Sequence, residues 1–473
     1  MSAISPSLIY RRLRKHGFSG FQRKLLGRVF TSLSGKPAPR ILLITNRDSD
    51  NVGDQVIEEC DIALLETIMR NLGIPDYKIS SRAAGIIPKS YLRTRNSALL
   101  QEAREAIAKC DVVVFGGAPL FNYRYQVFHE RTALTIQIAQ EYGKPVLFSA
   151  IGVEGYEDDS EACQSLKSAL NLDCVRQITT RDDFSSLEKF VERNSLLIDR
   201  VADPAVFSNV VFSRFLKQVE ASDRRPIGLF VVRSKIFEDN GIDLPEEELD
   251  SFWLNIMREL DNEGVPYELI TSGHFSDEAY LEHLIRNCGV SSSKCFFNMN
   301  IPETLVEKIS GYRALLTCRL HPSIIAYSLG VPSVSLIWNS KVSFFYDIIG
   351  HPERAYKTDN LSASRTVAAL LEASEKGIER NDSYRYSVYE SLFLGLKGIL
   401  RPEGDAQAFS MAELNKRISR FQGTTPQELE AKLERKFRRS YNKFNRLSAQ
   451  NRALTRKAST LRAKLNKQKD KSA

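Results

Sequence analysis

Apolar and polar positions alternate in blocks along residues 314–350, ALLTCRLHPSIIAYSLGVPSVSLIWNSKVSFFYDIIG. The apolar run Ala314–Thr317 has the length of a short buried strand. Arg319 and His321 follow at once. Pro322 suits the first turn of a helix, where its missing N–H would find no partner anyway. Ile324, Ile325, Tyr327 and Leu329 carry that helix on, and Gly330 ends it. A second apolar run, 331–337, predicts another strand, with Asn339, Ser340 and Lys341 at its tip. Ligands of open α/β sheets bind at the carboxyl ends of strands, so these two strands would present Arg319, His321 and Lys341 at one rim.

The same alternation extends over most of the chain. Runs at 41–45, 111–115, 145–151, 178–180 and 196–198 read as strands. Between the first two, Val56, Ile57, Cys60, Ala63, Leu64 and Ile68 recur on one helical face. A polar stretch at 216–226 breaks the series. It resumes with strands at 227–232, Tyr267–Ile270 and 295–297, and helices at 252–260 and Pro302–Ser310. Strands alternating with helices predict parallel, doubly wound sheets. The expected architecture is α/β: two Rossmann-like domains, 41–215 and 226–422, facing across a cleft in a GT-B-like arrangement. Later helices, 361–375 and 384–400, are expected to return toward the first domain.

Two flanking segments differ. From residue 426 to 470, Leu433, Phe437, Ser440, Phe444, Leu447, Asn451, Leu454, Ala458, Leu461 and Leu465 step by four and three. That heptad stripe predicts a basic coiled-coil helix, with Asn451 at an a position that favours a parallel dimer. Lys457 and Arg462 would face each other across such a homodimer and weaken it. In residues 1–40, Phe18, Phe21, Leu25 and Val29 recur at helical spacing among Arg23, Lys24 and Arg28. A basic amphipathic helix of this kind lies on an anionic membrane surface or packs on the main body; the composition also describes a transit peptide.

Charge sharpens this division. The net charge of +8 hides nine Lys and Arg and no acid in residues 1–40, and fifteen basic against four acidic residues in 426–473. The middle of the chain is acidic. No apolar stretch approaches the ~20 residues of a membrane span, which points to a cytoplasmic protein, peripheral to the membrane at most. The seven cysteines show no C-x-x-C pairing and read as free thiols in a reducing compartment, with no zinc site expected. The basic ends lack the aromatic interleaving of a nucleic-acid platform, so nucleic acid is not an expected partner.

The candidate chemistry is that of anions. Arg offers a rigid fork to carboxylate or phosphate, Lys a point charge, and His a proton near neutral pH. The same residues also fit a buried Arg paired with an Asp and a helix-capping His. The loop ending Asn51-Val52-Gly53-Asp54 leads into a helix N-terminus, a natural cradle for a polar ligand, or Asp54 caps the helix. Gly116-Gly117 follow a buried strand and permit close backbone approach or a tight turn. Arg181-Asp182 put charge at another strand end, and His274 stands at a strand end of the second half, where capping is the commoner role.

Taken in order, Asn51-Val52-Gly53-Asp54, Gly116-Gly117, Lys144-Pro145, Gly152, Arg181-Asp182, Asp203-Pro204, Arg319-Leu320-His321, Gly330-Val331-Pro332 and Lys341 resemble the polysaccharide pyruvyl transferase family over roughly residues 41–350. The resemblance implies transfer of a pyruvyl group from phosphoenolpyruvate to hydroxyls of a cell-surface polysaccharide or its lipid-linked precursor. The products would be a pyruvate ketal and phosphate, with no cofactor and no metal. It implies that Arg181, Arg319 and Lys341 bind the donor. His321 would be the acid/base beside Arg319, and Asn51, Gly53, Asp54, Gly116 and Gly117 would face the acceptor. Three departures stand out: Ala118-Pro119 where a third glycine is usual, Ser149-Ala150-Ile151-Gly152 for Gly-x-Gly, and Pro322 after the R-x-H. The alternatives are a nucleotide-sugar glycosyltransferase of the same architecture and a non-catalytic glycan-assembly scaffold. Expected partners are phosphoenolpyruvate, a glycan or glycolipid acceptor, a second copy through 426–470, and an anionic membrane surface.

Overall fold

The computed structural model describes residues 37–122, 128–218 and 225–472. The basic arm expected over 1–40 lies almost wholly outside the described residues. Twelve strands form two six-stranded sheets in which every pairing between neighbours is parallel. The first holds β1 (Arg40–Thr45), β2 (Lys78–Ala83), β3 (Val112–Phe115), β4 (Val146–Ile151), β5 (Val175–Thr180) and β6 (Leu197–Arg200). The second holds β7 (Ile227–Phe230), β8 (Tyr267–Ile270), β9 (Cys295–Phe296), β10 (Ala314–Thr317), β11 (Ser333–Ile337) and β12 (Ala355–Lys357).

Their orders, β2-β1-β3-β4-β5-β6 and β12-β11-β10-β7-β8-β9, each contain one switch point, at β1/β3 and at β7/β10. The crevice outside the strand ends opens there. The central strands β1, β3, β4, β7 and β10 are buried almost throughout, which is why they read as continuous apolar runs. The edge strands β2 and β12 are half-buried and polar (KISSRA and AYK) and carry no such signal. The pattern therefore misses both.

One apolar core runs without a break from the first sheet to the second. It joins Ile41, Leu43 and Val114 to Phe230, Leu315 and Ile325 through the Val52–Asn71 and Leu320–Leu329 helices. The two halves also meet through polar contacts. The Val52 N–H donates to the Ser272 carbonyl at 2.8 Å, and Ser328 Oγ donates to the Val206 carbonyl at 2.9 Å. The Asp382–Leu400 helix returns to the first sheet, where Gln177 Nε2 donates to the Ser391 carbonyl at 3.1 Å.

The final helix, Pro426–Ser472, is continuous. Its first turns are fastened across the junction of the two halves. Arg439 pairs with Asp50 at 2.7 Å, Lys436 pairs with Glu278 at 2.7 Å, and Lys443 reaches Ser276 Oγ. Its start is thus a strap on the body and not a free coil. Phe437, Phe444, Leu447, Leu454 and Leu461, which carry the heptad stripe, are exposed on the single chain. No helix among the described residues is long and apolar enough to cross a membrane. All seven cysteines are free.

Candidate active site

A cavity of about 450 Å³ lies between the strand ends of the two sheets. From the first half it takes Asn46, Asn51, Asp54 and Arg181. From the second it takes Arg233, His274, Arg319, His321 and Lys341. Arg319, His321, Lys341, Arg181, Asn51 and Asp54 therefore share one site.

The helix after β10 begins at Leu320, which puts Pro322 in its first turn, where a proline's missing N–H needs no partner. His321 is consequently held on the first helical turn, with Arg319 as the residue before it. Across the cavity the Val52–Asn71 helix is capped by Asn51 and not by Asp54. Asn51 accepts from the Gly53 N–H at 3.4 Å, and its Nδ2 faces His321 Nδ1 at 3.4 Å. Capping sets the orientation of the Asn51 amide, so its NH₂ meets the imidazole. An Nδ1 that accepts there leaves the ring proton on Nε2.

Asp54, in the first turn of the same helix, puts Oδ1 3.5 Å from His321 Nδ1 and accepts from Asn46 Nδ2 at 2.8 Å. Burial raises the Asp54 carboxyl to about 6, against the lowering effect of Ser49, Arg181 and Asn46. Burial, aided by Arg181, Lys341 and Arg319, pushes His321 well below its ordinary value. The first proton taken up by this pair therefore resides on Asp54.

The cations are held by carboxylates. Arg319 donates through Nε and Nη2 to Asp277 Oδ2 at 3.1 and 2.6 Å, while Arg233 donates to Asp277 Oδ1 at 3.1 Å. Asp277 is fully buried. Burial alone would raise its carboxyl, but Arg319, His274 and Arg233 outweigh that and lower it. Two guanidiniums on one carboxylate leave a net positive charge at the cavity wall. Lys341 sits 3.3 Å from Glu154 Oε1 and 4.5 Å from the centre of the Trp338 ring. Arg181 is buried against Asp203 and donates to the Gly117 carbonyl at 2.7 Å. The alternative of buried Arg–Asp pairing thus describes Arg181 and Arg319 as they stand, and both still border the cavity.

Gly116 and Gly117, expected to face the acceptor, do not line the cavity. A Cβ on Gly116 would stand 2.2 Å from Asp61 Oδ2, and one on Gly117 would stand 2.4 Å from Ile57 Cγ2. Their role is close approach to the Val52–Asn71 helix. His274 caps the Phe275–Cys288 helix, accepting from the Ser276 N–H at 3.3 Å, and also borders the cavity. Ala150, within the segment where Gly-x-Gly is usual, has a φ of 52°, the left-handed region that glycine occupies at least cost. Cys318 is fully buried, and burial pushes its thiol up, as for a core residue.

Sequence reasoning passed over Asp277, Arg233, Glu154 and Trp338. Arg233 was legible as another charge at a strand end. The other three are identified only by the partners they hold.

Two parallel Rossmann-like domains with a cationic cleft at their switch points define a GT-B type α/β protein. A family profile described as polysaccharide pyruvyl transferase matches residues 51–340, and the chain belongs to that family of transferases. No curated protein matches it. Among solved structures it is similar to a Listeria monocytogenes protein assigned as a UDP-N-acetylglucosamine 2-epimerase, with 11% identity, TM-score 0.50, and 79% of this chain and 100% of the other covered. It is similar also to the UDP-GlcNAc 2-epimerase of Methanocaldococcus jannaschii (13%, 0.48, 76% and 100%) and to an E. coli heptosyltransferase with ADP (11%, 0.36, 71% and 99%). At 11% identity the likeness to the Listeria protein is one of fold alone.

Proposed function

We propose that this chain transfers the pyruvyl unit of phosphoenolpyruvate to hydroxyls of a polysaccharide or its lipid-linked precursor, forming a pyruvate ketal and releasing phosphate. The observation that carries the reading is that His321, beside Asp54, lines one cavity with three cations, Arg319, Arg233 and Lys341. Carboxylate and phosphate need such cations, and the first turn of the Leu320–Leu329 helix adds its own positive end.

The proton path follows from the ordering of the two acids. Bound donor brings negative charge to His321 and raises its proton affinity. The proton on Asp54 then passes to Nδ1, and the imidazolium gives its Nε2 proton to the donor methylene carbon. The adjacent carbon becomes oxocarbenium-like, a sugar hydroxyl attacks it, the hydroxyl proton passes to Nε2, and the Nδ1 proton returns to Asp54. Loss of phosphate and attack by a second hydroxyl, whose proton leaves with the phosphate, close the ketal.

Incubation with phosphoenolpyruvate and candidate glycans, read by phosphate release, tests this directly. Release should require both substrates and fall by roughly 10²–10⁴-fold in His321→Ala. Phosphoenolpyruvate should also raise the unfolding midpoint of the wild type by mass action. Stabilisation by nucleotide sugars with none by phosphoenolpyruvate would overturn the assignment.

A further inference from the structure

Away from the cavity, between two helices of the second half, three different donor groups converge. Asp250 lies on the Glu246–Asn262 helix, and His283 and Cys288 lie on the Phe275–Cys288 helix. Asp250 Oδ2 is 2.8 Å from His283 Nε2 and 3.6 Å from Cys288 Sγ, and Cys288 Sγ is 3.8 Å from His283 Nε2. None of the three lines the cleft. We propose that Asp250, His283 and Cys288 bind a divalent transition-metal ion, Zn²⁺ foremost, with water in the fourth position.

The spacing suits that ion. Tetrahedral zinc, with Zn–S about 2.3 Å and Zn–N or Zn–O about 2.0–2.1 Å, sets sulfur about 3.5 Å from nitrogen and oxygen, and these about 3.3 Å from each other. Two of the three separations already match, and the carboxylate–imidazole pair must open by about half an ångström. Thiolate, imidazole and carboxylate together select zinc or its neighbours over magnesium and calcium. His283 and Asp250 are partly exposed, at 26% and 15%, so solvent reaches the fourth position.

The surrounding contacts are those a metal site uses. The Tyr280 hydroxyl donates to Asp250 Oδ1 at 2.7 Å, occupying the oxygen that faces away from the other two donors. The Asn287 side-chain amide lies 2.8 Å from His283 Nδ1. Turned about its axis, that amide accepts the Nδ1 proton while Nε2 binds metal. The Tyr280 ring stacks on the imidazole, with centroids 5.8 Å apart. Sequence spacing concealed the group, because its cysteine stands alone and the carboxylate comes from another helix.

Cobalt(II) titration of the chelator-treated full chain, kept reduced, tests the site independently of any transfer activity. One Co²⁺ per chain should bind with the intense visible bands of four-coordination and a thiolate charge-transfer band, and Zn²⁺ should displace it. Cys288→Ser should abolish the charge-transfer band, and His283→Gln should weaken binding by about 10-fold or more. Cys295→Ser, at the other half-buried cysteine, should change neither. Unfolding midpoints of the metal-free variants near wild type establish that they fold. A wild type that binds no cobalt stoichiometrically would overturn the proposal, as would a charge-transfer band that survives in Cys288→Ser.

Discussion

Gly53 and His321 are in contact across the cleft: a Cβ on Gly53 would lie 2.5 Å from His321 Cβ and 2.6 Å from its Nδ1. The missing side chain is what lets the helix N-terminus of one half meet the imidazole of the other. Gly53→Ala should push His321 off Asn51 and Asp54. Turnover should fall by about 10²-fold, the sensitivity of positioned chemistry to a shift of about 1 Å, with a smaller change in donor binding. Steady-state kinetics with the unfolding midpoint as control separates this from misfolding. Wild-type turnover in the variant would show that His321 has no need of its present place.

The Asp54–His321 pair sets the pH dependence. The reaction needs one proton on the pair, held by a carboxyl at about 6. The pair is loaded below that pH and empty above it, so kcat/KM should decline as pH rises through about 6. Asp54→Asn leaves only His321, whose ordinary proton affinity is already suppressed, so the limb should move to lower pH. A limb that stays in place in the variant would belong to the donor phosphate, which itself titrates at about 6.

Asp277 holds two guanidiniums from a fully buried position. Asp277→Asn retains its shape and removes its charge. Breaking a buried pair in this way costs about 3–5 kcal/mol, visible as a lower unfolding midpoint. The KM for donor should rise more than kcat falls, because Arg319 and Arg233 lose their orientation and not the proton chemistry. Unchanged donor KM would place the anion elsewhere.

The last helix divides into two parts with separable roles. A chain ending at 446 keeps the contacts of Lys436, Arg439 and Lys443 and should retain the wild-type unfolding midpoint. A chain ending at 425 loses them and should melt lower. If the heptad seam pairs two copies, as its 3.5-residue period favours, light scattering should give the mass of two chains for the full-length protein and of one chain for the protein ending at 446. A one-chain mass for both would remove self-association through this stripe.

The local pattern of this chain determined its elements and one rim of its site. Strands buried on both faces, such as β3 and β10, are apolar over nearly their whole length, so a run of about three or four residues reveals them. Arg319, His321 and Lys341 were legible because two neighbouring parallel strands deliver their following residues to the same edge. Tertiary structure alone decided what those residues touch. Asp277 reads as an ordinary first-turn acid until the fold brings Arg233 and Arg319 onto it. Gly116 and Gly117 read as ligand-facing until Asp61 and Ile57 occupy the space beside them. Gly53 meets His321, and Asp250 meets Cys288, only after separate segments have packed. Strand and helix patterns arise from neighbours within a few residues along the chain, whereas proton affinities and pairings depend on burial and on charges brought close by the whole fold.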